Sequence, residues 1–77
     1  MNEDKILVII PAYNEEVSIG AVIGDVRKNV PEADIVVVND GSRDATGSIA
    51  ERFGVPVLHH PYNLGIGATM QTGYKYA

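Results

Sequence analysis

Three short apolar runs alternate along the chain with segments of helical period. Residues 6–10 are aliphatic at every position and bounded by Lys5 and Pro11; residues 35–38 are entered at Asp34 and left at Asn39, Asp40 and Gly41. Runs that are apolar on both faces predict strands buried on both sides, as in a parallel sheet. Residues 55–59 form a third run, in which Pro56 predicts a strand start or an edge strand, because proline lacks the N–H a central ladder needs.

Between the first two runs, Ile19, Val22, Ile23, Val26 and Val30 recur at the spacing of one helical face. Asn14 is the expected N-terminal cap, Glu15 and Glu16 suit the positive end of the helix, and Pro31 stops it. Gly20 and Gly24 lie inside this helix, where each costs about 0.5–1 kcal/mol relative to Ala; close packing on the sheet is the expected compensation. Residues 44–53 read as a second, shorter helix, capped by Asp44, with Ile49, Ala50 and Phe53 on its buried side and Gly54 as its stop. After the third strand, the glycine-rich residues 63–67 lead into a helix carrying Ile66, Met70 and Tyr74 on one side.

The order β-α-β-α-β-α, with short strands alternating with helices, predicts an α/β fold: a parallel sheet of about three strands with right-handed crossovers, Rossmann-like, in three α-β-α layers. No repeat or linker interrupts it. The helical pattern runs to Ala77 without a stop signal, where a parallel sheet normally receives another strand. Residues 1–77 are therefore expected to be the first part of a longer domain.

Composition narrows the function. The chain has 77 residues and no cysteine, so disulfides, Cys-based zinc sites and thiol nucleophiles are excluded. A chain this short buries about 60% of its surface, marginal for one domain and too little for two. At 45% hydrophobic and 21% charged it is globular rather than disordered. Its net charge is −4 and its six basic residues are scattered, so no nucleic-acid footprint is present. The longest apolar run is too short to span a bilayer, and residues 1–5 are net acidic, unlike a signal peptide. A cytoplasmic protein is expected.

In open α/β sheets ligands bind beyond the carboxyl ends of the strands, and the polar residues collect there: 11–15 (Pro-Ala-Tyr-Asn-Glu), 39–44 (Asn-Asp-Gly-Ser-Arg-Asp) and 59–65 (His-His-Pro-Tyr-Asn-Leu-Gly). Singly, these are turn and cap signals. Together they make a nucleotide pocket, in which an aromatic face stacks on a base and a carboxylate accepts from base N–H or ribose hydroxyl groups. Gly65 and Gly67 do not complete a dinucleotide fingerprint, since Met70 stands at the third position and the stretch follows the third strand rather than the first. Walker A and Gly-x-Ser-x-Gly patterns are absent. His59 and His60, adjacent on a strand, point to opposite faces and cannot pair on one metal; ordinary packing or surface roles are expected.

The three segments at 8–15, 37–46 and 63–69, taken in order, resemble the opening motifs of family 2 glycosyltransferases, inverting enzymes of the GT-A fold. Residues 71–74 with the glycine loop are most similar to the polyprenyl-phosphate branch, which resembles dolichol-phosphate mannosyltransferase. The resemblance implies a nucleotide-binding set of Pro11, Ala12, Tyr13, Glu15, Asn39, Asp40, Ser42, Asn63 and Gly65. Tyr13 would pack on the base, Glu15 would lie near the ribose, Asp40 would contact the base, and Asn63 and Gly65 would line the base side. Asn39 replaces the first Asp of the family's Asp-Asp-Gly-Ser stretch. Arg43 falls near the rim without an assigned phosphate contact, and Gly67 and Ala68 would let the last helix pack closely.

The family also needs an Asp-x-Asp motif to hold Mg²⁺ or Mn²⁺ on the diphosphate and a carboxylate base, and neither occurs in these 77 residues. The resemblance thus implies the donor half of a hexosyltransferase that moves sugar from a UDP- or GDP-sugar to an acceptor such as a polyprenyl phosphate, at the cytoplasmic face of a membrane. The divalent metal would belong to the parent enzyme, with no catalytic residue or metal held by this segment, which alone is expected to be inactive. A homo-oligomer formed through an exposed sheet edge or face is expected. The alternative is a non-catalytic nucleotide-binding or self-associating α/β module. A nucleotidyltransferase-like domain shares the element order but opens with a Gly-rich phosphate loop that residues 11–15 lack.

Overall fold

The structure is a computed structural model and describes residues 6–77. Lys5, which bounds the first predicted strand, and the rest of the acidic start lie outside the described residues. The elements run β1 (Leu7–Ala12), α1 (Ile19–Asn29), β2 (Asp34–Asp40), α2 (Thr46–Arg52), β3 (Val57–His60) and α3 (Ile66–Tyr76). The strands pair in parallel in the order β1-β2-β3, so the predicted α/β class and element order hold.

The central strand explains its own composition. Val36, Val37 and Val38 are fully buried because both faces of β2 are covered. On one face Ile10, Ala12, Ile35, Val37 and Val55 pack with Ile19 and Ile23 of α1 and Ala50 of α2. On the other face α3 lies across β1 and β2. The result is three layers, α-β-α, with the chain changing face after β3.

Several local expectations are corrected. Asn14 does not cap α1: it sits at φ 53°, and the helix begins only at Ile19. The turn before it is closed by the Glu15 carbonyl, which accepts from the Ser18 and Ile19 amides. Nor is Asp44 the cap of α2: Ala45 holds that position, and Asp44, one residue earlier, accepts from Thr46 N–H through Oδ1 at 3.0 Å, so the helix is shorter than predicted. The third strand starts at Val57 rather than at residue 55, because Pro56 has no N–H to donate and contributes its carbonyl instead, to Val37 N–H at 3.0 Å.

The glycine expectations are also redistributed. Gly20 meets the Phe53 ring, where a Cβ would lie 2.9 Å from it, rather than the sheet; Gly24 and Gly67 face open space. The close approach of α3 to the sheet is made by Gly73, where a Cβ would stand 2.6 Å from Ile9 Cγ2. Accordingly α3 buries Thr69 and Gly73, and leaves Ile66 (66%) and Tyr74 (67%) exposed.

Candidate functional site

The loops beyond the carboxyl ends of the strands are laced together. Between the β1–α1 loop (13–18) and the β2–α2 loop (41–45), Asn14 N–H donates to Ser42 Oγ (2.9 Å) and Arg43 N–H to Asn14 Oδ1 (2.9 Å). Glu15 N–H donates to Thr46 Oγ1 (2.8 Å), Glu16 N–H to Asp44 Oδ2 (3.2 Å), and Ala45 N–H to Glu16 Oε1 (3.0 Å). Asp44 is held below the ordinary carboxylate range, first by the hydroxyl of Thr46 and then by the Thr46 and Glu16 amides, against a smaller opposing effect of burial. The residues that singly read as turn and cap signals are therefore parts of one clasp.

The β2–α2 and β3–α3 loops meet backbone to backbone. A Cβ on Gly41 (φ 72°) would lie 2.3 Å from the Tyr62 carbonyl carbon, so only glycine fits there. Asp40, 3% exposed, pins the same junction. Its Oδ1 accepts from Leu64 N–H (2.9 Å) and pairs with His60 Nδ1 (2.7 Å), and its Oδ2 accepts from Gly65 N–H (2.9 Å). Burial alone would push the carboxyl up. The His60 hydrogen bond and the two amides outweigh it, and Asp40 is held below its ordinary value.

These loops enclose a cleft of about 220 Å³, lined by Pro11, Ala12, Tyr13, Glu15, Asp40, Asn63, Gly65, Ile66 and Thr69. Seven of the nine residues anticipated for the site are brought together there. The other two are placed elsewhere. Asn39 turns to the opposite sheet face, where its Nδ2 meets His59 Nδ1 at 3.1 Å, and Ser42 is engaged in the clasp. A larger depression of about 670 Å³ lies at the amino ends of the strands, lined by Arg27, Pro31, Asp34 and Tyr76 among others. The cleft at the carboxyl ends has the chemistry: a half-exposed aromatic ring at Tyr13 (43%) beside an ionised acceptor, fitted to a flat heterocycle bearing an N–H.

Sequence reasoning missed His60, Thr72 and Thr46. The missed signal is register: Asn39 stands opposite His59 and Asp40 opposite His60 in the parallel ladder, so two polar pairs project to opposite faces at one end of the sheet. His59 also meets Glu51 Oε2 at 3.0 Å on the α2 side.

Among the described residues no group of three or more His, Asp or Glu is placed to hold a metal ion. The cleft's two carboxylates do not fit one: Asp40 already takes three hydrogen bonds, and Glu15 accepts from Ser18 Oγ at 3.1 Å. No described helix is long and apolar enough to cross a membrane.

Comparison with known proteins places this geometry. The chain is 36% identical over 78 residues to the polyprenol monophosphomannose synthase of Mycolicibacterium smegmatis, covering 94% of this chain and 29% of that protein. It is 39% identical over 77 residues to the undecaprenyl-phosphate mannosyltransferase of Micrococcus luteus, covering 94% and 32%. The chain thus spans about three-tenths of the length of these relatives. Its fold superimposes with a TM-score of 0.86 on a mannosyltransferase from Pyrobaculum calidifontis solved with GDP-Man and Mn²⁺, at 22% identity, covering 94% of this chain and 24% of that one. The glycosyl transferase family 2 model matches residues 7–77, all three carboxyl-end loops included, and the chain belongs to that family.

Proposed function

We propose that residues 1–77 form the donor-nucleotide half of a glycosyltransferase domain that moves a sugar from a UDP- or GDP-sugar to an acceptor such as a polyprenyl phosphate, at the cytoplasmic face of a membrane. The observation that carries this reading is the cleft at the carboxyl ends of β1 and β2, where Tyr13 and Asp40 face one space. Tyr13 supplies a stacking surface, Glu15 an acceptor for ribose hydroxyls, and Asp40 an acceptor for a ring N–H. Uracil and guanine carry such an N–H; cytosine and adenine present a lone pair there, which a carboxylate repels.

The lining contains no lysine or arginine. The amino end of α3, at Gly65 and Ile66, offers only its partial positive charge to a diphosphate. Among the described residues no group is placed to hold a metal ion, and in this reading the divalent metal and the acceptor-side base come from a longer chain. The relatives named above support the polyprenyl-phosphate acceptor and mannose as the sugar. Self-association through a sheet edge or the outer face of α3 is part of the same reading.

Titration calorimetry tests it. UDP or GDP should bind weakly and without need of Mn²⁺, and ADP and CDP more weakly still. Equal affinity for all four, or none for any, would overturn the assignment. A longer natural reading frame should show metal-dependent sugar transfer.

A further inference from the structure

We propose that His60, locked by Thr72, is the positioning residue that aims the Asp40 carboxylate at the nucleobase. The proposal rests on the donor-site reading above. An ionised carboxylate has about four acceptor positions, two on each oxygen. Oδ1 of Asp40 spends both, on His60 Nδ1 and Leu64 N–H; Oδ2 spends one, on Gly65 N–H. A single acceptor position is left, on the oxygen bonded to Gly65, which is itself in the cleft wall. Without His60, each oxygen would keep one acceptor position beside its amide bond, and either could receive a ligand.

The imidazole is well held for this task. Its side chain is 9% exposed, and its partner's 5%. The carboxylate only accepts, so Nδ1 carries the proton. In the neutral ring Nε2 then accepts from the Thr72 hydroxyl at 2.8 Å. Asp40 thus fixes the tautomer, and Thr72, on α3, fixes the tilt of the ring. The chain Thr72–His60–Asp40 therefore runs from the helix that changes sheet face to the acceptor of the site. The clasp residues form no part of it, and His59, on the opposite face, cannot substitute.

Two amide variants separate aiming from packing. In His60→Asn the amide nitrogen falls where Nδ1 stood and can still donate to Asp40. In His60→Gln it falls near Nε2 and cannot. Titration of the folded proteins with GDP and UDP should leave His60→Asn within about threefold of wild type. His60→Gln should weaken binding about ten- to a hundredfold, the equivalent of one hydrogen bond to a charged group. Equal loss or equal retention in both variants overturns the role of His60 while leaving the donor site intact. No binding of either nucleotide by the wild-type chain overturns the donor reading, and this proposal with it. Nitrogen NMR of the wild-type ring should show the Nδ1–H tautomer, and the Nε2–H tautomer would contradict the scheme. If neither histidine variant folds, Thr72→Val decides: it keeps the shape, frees the tilt of the ring and should weaken nucleotide binding, whereas unchanged affinity overturns the proposal.

Discussion

Asp40 does two jobs with one carboxylate. It satisfies the Leu64 and Gly65 amides, closing the β3–α3 loop, and it keeps one acceptor position beside the cleft. Asp40→Asn should damage both, because the amide nitrogen would face a donor: His60 Nδ1–H on one side or Gly65 N–H on the other. A buried donor left unpaired costs about 1–3 kcal/mol, which a urea midpoint would register, and affinity for UDP and GDP should fall as well. The pH dependence follows from the direction of the shift. Asp40 is held below its ordinary value in the folded state, so its stabilisation is complete above the unfolded value, about pH 3.9, and is lost as pH falls through the lower folded value. Asp44 is shifted the same way. Unfolding free energy should therefore drop on acidification between about pH 5 and pH 2, less steeply in Asp40→Asn, with Asp44 supplying the remaining slope. An identical slope in the variant would contradict the assignment. The clasp gives a companion test: Thr46→Val removes the acceptor of Glu15 N–H and the hydroxyl partner of Asp44 at a fully buried position, at a cost of about 1–3 kcal/mol.

At the scale of elements, the runs that were apolar on both faces were legible, and so was the end of the sheet at which the candidate cleft lies. Residues 35–38 could only be a strand covered twice, and carboxyl-end loops rich in Tyr, Asn and Asp could only face one end of the sheet. The contact face of α3 was not legible. Its largest residues, Ile66 and Tyr74, suggested the buried side, but the helix approaches the sheet through Thr69 and Gly73, where smallness rather than apolarity decides. Nor was the partner of Asn14, since a hydrogen bond to Arg43, 29 residues away, leaves no local pattern. The two kinds of helical glycine can be told apart by substitution. Gly24→Ala meets open space in the middle of α1 and should stabilise by about 0.5–1 kcal/mol. Gly73→Ala pushes a methyl into Ile9 and should destabilise by about 1–3 kcal/mol despite the same gain in propensity. Ile9→Ala in the same chain should return part of that loss, a coupling of about 0.5–3 kcal/mol between the sites. Additive effects in the double variant would show that the close approach is not where the cost lies.

For the molecule as a whole, the outer face of α3 poses the remaining physical problem. Ile66, Met70 and Tyr74 follow one another at four-residue spacing and so share a side of the helix, and Tyr62 (65%) and Leu64 (46%) add exposed apolar surface in the loop leading to it. Contiguous apolar surface of this kind marks an interaction face. The sheet adds a second such surface, since β1 and β3 each have one side without a described strand partner. The least demanding way to cover either is an isologous dimer, in which the same patch meets itself across a two-fold axis. Sedimentation velocity should then show a monomer–dimer equilibrium that moves toward dimer with concentration. Ile66→Lys with Tyr74→Lys should move it back toward monomer if the helix face is the contact, and should leave it unchanged if the strands pair at an edge. A chain that stays monomeric at every concentration would rule out both contacts. A longer natural chain that is monomeric where these 77 residues dimerise would show that the same face is covered within one molecule, as expected if the donor half is completed by the rest of a transferase.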